Sequence, residues 1–163
     1  MNAEALYLTL RDQVRAGLAG VEYAAIVGIH SGGAWIAERL AADLQLQAKL
    51  GFIDVSFYRD DFAARGLHAG VKPTQLPFSV DGATILLVDD VLYTGRTTRA
   101  AINELFDYGR PARIMLAALV DRGGRELPVA ADFVAATTQL TEQQQLVLHR
   151  AVDGEFSLTV DHA

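Results

Sequence analysis

The stretch ILLVDDVLYTGRTT, residues 85–98, joins an apolar run to two adjacent aspartates, a short turn rich in Gly and Thr, and the start of a helical pattern. The apolar run predicts a buried strand over 84–90. Apolar residues at helical spacing then predict a helix over 97–109, which ends at Gly109 because Pro111 cannot continue it. The stretch therefore predicts a strand that leads through a tight turn into a helix.

The same order of strand, turn and helix recurs along the chain. Helical patterns occupy 3–18 and the segment from the HSGG turn through Leu44. The other predicted strands are 24–29, 50–60, 113–121 and 131–136, and a hairpin around an Asp-Gly turn is predicted within 145–160. Because strands and helices alternate as far as residue 121, the chain is expected to form an α/β fold. Its central, mainly parallel sheet is expected to be flanked by helices on both faces.

Three of the predicted strands end in turns of unusual composition: GIHSGG (28–33), VDDVLYTGRTT (88–98) and VDRGGRELP (120–128). Parallel sheets bind their ligands outside the carboxyl ends of the strands. We therefore expect the three turns to converge on one site. Trp35 and Phe106 are expected to belong to the core instead.

The segment 61–82 shows no periodicity and contains three glycines and two prolines. Long irregular segments in compact domains often act as lids over a site. A partly ordered hairpin attached to the sheet is an equally good interpretation. The length of 163 residues suits a single domain over 1–163 that carries this segment as a flexible lid.

The composition narrows the class of protein. The chain has no cysteine, which excludes disulfides and thiolate metal sites, and no signal peptide or membrane-spanning run is predicted. We therefore expect a cytoplasmic protein without a membrane partner. The net charge of −6 argues against a surface that attracts nucleic acid everywhere, although a local basic face stays possible. Lysine occurs only at Lys49 and Lys72, and arginine supplies the other cationic side chains.

The turn after the aspartates has the features of a phosphate site. Backbone N–H groups at a helix start bind phosphate, Gly95 permits close approach, and the hydroxyls of Thr94 and Thr97 add donors. Simple capping of the helix is the alternative. Asp89 and Asp90 suit the vicinal hydroxyls of a sugar, unless they merely end the strand. A ribose 5-phosphate would satisfy both the aspartates and the turn.

The stretch 85–98 resembles the phosphoribosyl diphosphate (PRPP) motif of type I phosphoribosyltransferases. With DVSFYRDD (54–61), ELFDYGRPA (104–112) and LVDRGGRELPV (119–129), it is similar to the PyrR family of pyrimidine regulators and uracil phosphoribosyltransferases. The resemblance covers roughly 24–136 and implies a type I phosphoribosyltransferase fold with a flexible lid and a C-terminal hairpin. It also implies transfer of the phosphoribosyl group of PRPP to uracil, which gives UMP and diphosphate.

The resemblance assigns roles to individual positions. It implies that Arg59, Asp89 and Asp90 are catalytic, with Arg59 contacting diphosphate as the lid closes. It implies a uracil site at Val120, Asp121 and Arg122. The PRPP contacts that it implies are Ser31, Gly32, Asp89, Asp90, Val91, Leu92, Tyr93, Thr94, Gly95, Arg96 and Thr97. Mg²⁺ is expected to arrive with PRPP and to keep water ligands, with Asp89 and Asp90 as its only protein contacts, if any.

The resemblance also implies a homo-oligomer and, as an alternative function, an RNA-binding attenuator that responds to UMP with weak or no catalysis. Two positions depart from typical members. Gly32 stands where an arginine is usual, which removes a cation from the diphosphate turn. Gly124 stands where attenuating members show histidine. Gly124 and the net charge of −6 argue against the RNA regulator, whereas Gly32 argues for weaker catalysis and is compatible with a regulator that has lost most of it.

Overall fold

The computed structural model describes residues 1–56 and 73–162. The helices in this part of the chain are α1 (Ala3–Leu18), α2 (Gly32–Leu44) and α3 (Arg96–Tyr108), with a short 3₁₀ turn at Gln47–Lys49. The strands in the same part are β1 (Ala24–Ile29), β2 (Leu50–Ile53), β3 (Thr84–Leu92), β4 (Arg113–Asp121), β5 (Phe133–Thr137), β6 (Gln144–Arg150) and β7 (Phe156–His162). No helix in these two ranges is long and apolar enough to span a membrane.

The central sheet has five parallel strands in the order β2-β1-β3-β4-β5. Its three middle strands are apolar runs with nearly continuous burial, as expected for strands that are covered on both faces. Their register aligns Val27 with Leu87 and Leu87 with Leu116. The predicted bounds of β1 and β4 are confirmed, and β3 runs to Leu92, two residues further than predicted.

The two faces of the sheet carry separate apolar cores. On one face, Tyr7 and Leu10 of α1 and Leu40 of α2 pack with residues of the β6–β7 hairpin. On the other face, Ala101 and Leu105 of α3 pack against the sheet. Helices therefore cover both faces, as predicted.

Three local predictions need correction. β2 was predicted over 50–60 but ends at Ile53, because Asp54 accepts hydrogen bonds from the backbone N–H and hydroxyl of Ser56 and so turns the chain. β5 occupies Phe133–Thr137 rather than 131–136. Phe106 is 52% exposed, because it lies on the outer side of α3.

The described part of the predicted lid is attached to the sheet. Gln75 and Phe52 exchange two backbone hydrogen bonds of 2.8 and 2.9 Å, which form an isolated antiparallel bridge. Leu76 and Phe78 pack against the core on the α3 face. Residues 75–78 are therefore bonded to the edge of the sheet and packed against its core, and the choice between a lid and a hairpin stays a prediction. The rest of the predicted lid, 61–72, and Arg59 lie outside the described residues.

Candidate functional site

The first of the three turns connects β1 to α2 and packs tightly against the backbone of β3. The peptide bond between His30 and Ser31 is cis, and α2 begins at Gly32. A side chain at Gly33 would strike the carbonyl oxygen of Val88 and approach the Asp89 Cα to 2.9 Å, so only glycine fits. The hydroxyl of Ser31 does not cap the helix, so the first N–H groups of α2 have no side-chain acceptor from their own N-cap.

The aspartate pair lies where β3 leaves the sheet. Asp89 is 7% exposed, and its Oδ1 accepts the backbone N–H of Asp90 at 2.9 Å. Asp90 is half-buried, and its Oδ1 accepts the N–H of Val91 at 2.8 Å. Its Oδ2 lies directly against Gly32. The aspartates therefore lie next to the start of α2, and each is oriented by a backbone N–H.

The second turn leads from β3 into α3. Gly95 is the N-cap of α3 with φ of +93°, a left-handed conformation that favours glycine. The hydroxyl of Thr94 accepts the N–H of Arg96 at 3.2 Å, so the capping interpretation holds for this side chain. The hydroxyl of Thr98 is buried and has no partner within the described residues. Thr98 was not among the predicted site residues.

The third turn contains Arg122, the last residue of the predicted uracil segment. The Arg122 guanidinium donates to the carbonyls of Gln144 at 3.0 Å and Thr141 at 3.1 Å, and it stacks 3.8 Å from the centre of the Tyr93 ring. Its Nε is buried and has no partner within the described residues. Arg122 therefore ties the end of β4 to the base of the β6–β7 hairpin.

The backbone of the predicted uracil segment is largely bonded within the protein. The N–H of Arg122 donates to Leu92 O at 3.0 Å, and the carbonyl of Asp121 accepts from Thr138 N at 2.9 Å. Val120 is fully buried in the sheet. Of the three predicted uracil residues, only Arg122 lines the cavity described below.

Arg125 holds the third turn against the second. Its guanidinium donates to the carbonyls of Val129 and Tyr93, each at 2.7 Å, and to the carboxylate of Asp121. Burial opposes ionisation of Asp121, but the hydrogen bonds from Arg125 and the Gly123 N–H outweigh it and lower the pKa of this carboxyl. Arg125 therefore has a structural role.

The three turns converge on one cavity of about 560 Å³, as predicted. The predicted residues that line it are Ser31, Gly32, Asp89, Asp90, Val91, Leu92, Tyr93, Thr94, Gly95, Arg96, Thr97 and Arg122. The lining residues that sequence reasoning missed are Trp35, Thr98, Gln145, Leu146, Val147 and Leu148. The cavity is therefore lined by the acidic pair, by the starts of α2 and α3, and by an apolar wall that consists of Leu146, Val147 and Leu148.

Comparison with known proteins identifies the family of this chain. The family model described as "Phosphoribosyl transferase domain" matches residues 9–146. The chain is 54% identical over 156 residues to "Bifunctional protein PyrR" of Ralstonia nicotianae, in a match that covers 94% of this chain and 89% of the relative. It is 48% identical over 162 residues to the protein of the same name from Nitrosococcus oceani, with 97% and 92% covered. The chain belongs to the PyrR family.

Solved structures with this fold include hypoxanthine phosphoribosyltransferase from Trypanosoma cruzi. Its TM-score is 0.63 at 22% identity, with 85% of this chain and 79% of the other covered. A hypoxanthine-guanine phosphoribosyltransferase from Bacillus anthracis gives a TM-score of 0.65 at 17% identity, with 84% and 79% covered. At this identity the likeness shows the fold alone. It confirms the predicted type I phosphoribosyltransferase fold.

The sequence pattern of 144–150 predicts the strand that forms the apolar wall, but it does not predict that this strand lies at the site. Alternation in QQLVLHR (144–150) predicts a strand with one buried face, and Leu146 and Leu148 form that face. The pattern does not say what the hairpin covers. The contact arises through Arg122, which bonds to the carbonyl of Gln144, a contact between residues distant in sequence. Trp35 packs against the core, as predicted, and also lines the cavity.

The donor atoms at the site fit a magnesium ion that brings most of its own ligands. Asp89 and Asp90 offer carboxylate oxygens, the donor type that Mg²⁺ prefers. Across 1–56 and 73–162, no cluster of three or more His, Cys, Asp or Glu could hold a metal. A cation at this pair would therefore take its remaining ligands from water and bound substrate.

Proposed function

We propose that this protein transfers the 5-phosphoribosyl group of PRPP to N1 of uracil and releases UMP and diphosphate. The observation that carries the proposal is the convergence of the start of α2, the Asp89–Asp90 pair and the turn into α3 on one cavity. An extended ligand with diphosphate, ribose hydroxyls and a 5′-phosphate matches these three elements in that order. The PyrR relatives support the same reaction.

The 5′-phosphate binds at the start of α3 in this proposal. The backbone N–H groups there are positive, and Gly95 allows the phosphate to approach them. The buried, unpaired hydroxyl of Thr98 supports an additional polar partner at this end of the cavity. Asp89 and Asp90 accept the ribose hydroxyls, while Ser31 and Gly32 offer N–H groups to the diphosphate.

The reaction breaks the bond from C1 of the ribose to the diphosphate oxygen and forms a bond from C1 to N1 of uracil, which loses its proton. Positive charge develops on the sugar and negative charge on the diphosphate, so the site must stabilise both. Mg²⁺ bound with PRPP would neutralise charge on the leaving diphosphate. Asp89 and Asp90 would hold the ribose and face its positive charge, and Arg59 would approach the diphosphate.

Uracil binds between Arg122 and the apolar wall from the hairpin. Two donor groups of Arg122 are bonded to hairpin carbonyls, so its first contribution is to hold that wall in place. These two bonds use two of its five N–H donors, and Nε is one of the donors that they leave for a uracil oxygen. The uracil contacts of Val120 and Asp121 stay a prediction, since neither residue lines the cavity in this structure.

An assay of UMP formation from uracil and PRPP with Mg²⁺ tests the proposal, with hypoxanthine, guanine and orotate as competing bases. We expect turnover with uracil alone. We expect D89N/D90N to lose at least about a hundredfold in kcat/KM, because two charged contacts to the ribose are removed. The matched control, D12N, changes an exposed aspartate of α1 far along the chain and should keep full activity. Turnover with none of the four bases would refute the proposal.

RNA regulation is the second candidate, favoured by the name "Bifunctional protein PyrR" that the relatives carry. In this interpretation a homo-oligomer binds a pyrimidine-operon leader RNA with UMP as co-effector. The net charge of −6 weakens it. A side chain at Gly124, which has φ of +76°, would also approach the Tyr93 ring to 2.5 Å, so this turn cannot present a histidine without rearrangement.

A gel shift with the cognate leader RNA at low salt, with and without UMP, tests the regulatory candidate. Retarded RNA whose affinity falls steeply with salt would support it. Free RNA under both conditions would reject it and leave the enzyme proposal untouched.

We further propose that 1–163 forms a single cytoplasmic domain and that 61–82 includes its lid.

A further inference from the structure

The diphosphate turn and the aspartate pair touch at one point, between Gly32 and Asp90. A Cβ atom placed on Gly32 would overlap Oδ2 of Asp90 and lie 2.7 Å from its Cγ and 3.0 Å from its Cβ. Carbon atoms without a bond between them do not approach this closely at acceptable energy. The observed position of the Asp90 carboxylate therefore requires that residue 32 has no side chain.

The Asp90 carboxylate is also held from its other side. Its Oδ1 accepts the N–H of Val91 at 2.8 Å, which sets the direction in which Oδ2 points. Both Gly32 and Asp90 line the cavity, so any rotation of this carboxylate changes the shape and charge of the site. The size of the side chain at position 32 therefore determines where the Asp90 carboxylate can lie.

We propose that Gly32 is a positioning residue for Asp90: with the turn backbone as it lies in this chain, the missing side chain leaves the carboxylate in the orientation that accepts the ribose. The inference rests on the proposed function in that it assigns the ribose to Asp90. A side chain at position 32 rotates the carboxylate about its Cα–Cβ bond and breaks the hydrogen bond from Val91.

The neighbouring glycine shows why this contact can be tested by mutation. A Cβ on Gly33 would meet backbone atoms of Val88 and Asp89, which cannot move without disturbing β3. A Cβ on Gly32 would meet the end of a side chain that can rotate. G32A is therefore expected to fold and to carry a displaced carboxylate.

A double-mutant cycle between positions 32 and 90 tests the proposal. In the wild-type background, G32A should lower kcat/KM for PRPP by about tenfold, within the usual range for residues in contact. In the D90A background, the same change should cost less than about twofold, because the two closest atoms, Oδ2 and Cγ, are gone and only the Cβ of residue 90, at 3.0 Å, remains. The KM for uracil should stay unchanged. Equal losses in both backgrounds, or no loss in the wild type, would overturn the proposal.

A structural readout keeps the test independent of turnover and of how well D90A folds. A crystal structure of G32A should show the Asp90 carboxylate rotated away from residue 32 and its hydrogen bond to Val91 broken. An unmoved carboxylate would overturn the proposal. If the wild type turns over none of the four bases, the proposed function fails. The coupling between residues 32 and 90 is then still tested by this structure and by the PRPP affinities of the four cycle variants, measured by calorimetric titration with Mg²⁺ present.

Discussion

Two turns flank the loop that follows β3, and they are built in opposite ways. The first, residues 28–33, packs closely against this loop because Gly32 and Gly33 have no side chains. A Cβ atom at either position would overlap atoms of Val88, Asp89 or Asp90. The third, residues 120–128, is held against it by side chains and by backbone hydrogen bonds. Arg125 donates to the Tyr93 carbonyl and Arg122 stacks on the Tyr93 ring, while backbone N–H groups of the third turn donate to Leu92 and Thr94. We therefore expect added side-chain atoms to disrupt the first turn, and removed side-chain atoms to disrupt the third.

The difference follows from what each turn meets. Gly33 faces backbone atoms of β3, which are fixed by the ladder of the sheet. Arg122 and Arg125 reach carbonyl groups in other segments through long side chains, so each bond can be removed separately. The first turn is therefore expected to respond sharply to substitution, and the third turn in graded steps.

The largest effect is expected from G33A. The added Cβ would lie 2.9 Å from the Asp89 Cα and closer still to the carbonyl oxygen of Val88, so we expect a loss of about 3 kcal/mol in the free energy of unfolding. Urea unfolding followed by circular dichroism measures it. G20A is the matched control, because Gly20 has φ of +77° with open space around it and should cost only about 1 kcal/mol. Equal losses for the two variants would remove the contrast between the turns.

The next effect is expected from R122A. It leaves the carbonyls of Thr141 and Gln144 without their charged donor and removes the stack on Tyr93, so we expect a loss of about 2 kcal/mol in the free energy of unfolding. R122K keeps the charge but lacks the fork that reaches both carbonyls, and should fall between wild type and R122A. Urea midpoints of the three proteins give the order. An R122K variant as stable as wild type would show that charge alone holds the hairpin.

A smaller effect, dependent on pH, is expected from R125A. Removal of its hydrogen bonds should cost about 1 kcal/mol near neutral pH, because the side chain is partly exposed. The folded-state pKa of Asp121 lies below its unfolded value, so the stabilisation is present above that unfolded value, near about pH 4, and is lost as the pH falls through the folded pKa. Urea midpoints measured from pH 7 to pH 3 should show wild type and R125A converging at the acid end. A constant difference would mean that Asp121 is not the coupled group.

The smallest effect is expected from E126A. Glu126 pairs with Arg96 at 3.1 Å across the second and third turns, but both side chains are about half exposed. Exposed pairs of this kind contribute little, so the free energy of unfolding should change by less than about 0.5 kcal/mol. Thermal and urea unfolding check this value. A loss as large as that of R125A would show that the exposed ion pair also holds the two turns together.

Much of the fold could be predicted because its central strands are apolar runs with clear ends. The bounds of α1, β1 and β4 agree with the prediction to the residue. β2 was predicted too long because the alternation continues past Asp54, while the side chain of Asp54 bonds to Ser56 and ends the strand. Local hydrogen bonds of this kind compete with the sheet and leave no trace in the hydrophobic pattern.

The candidate site was predicted where its residues are close in sequence. The stretch 89–97 lies on the cavity as expected, since the strand, turn and helix are consecutive. The hairpin wall was missed, because 144–150 meets the site through contacts with residues distant in sequence, among them Arg122 and Trp35. The predicted uracil segment shows the same limit, since its backbone bonds to Leu92 and Thr138 depend on how the strands are arranged.

The sequence by itself determined the order of the elements, the parallel sheet and the chemistry of ILLVDDVLYTGRTT, because these depend on hydrophobic periodicity and on neighbouring residues. Only the tertiary structure decided which groups around that stretch are free to bind a ligand. Arg122 is committed to the hairpin, and the orientation of Asp90 depends on Gly32. The physical reason is that hydrogen bonding and steric exclusion act between atoms in space, across segments whose proximity no local pattern records.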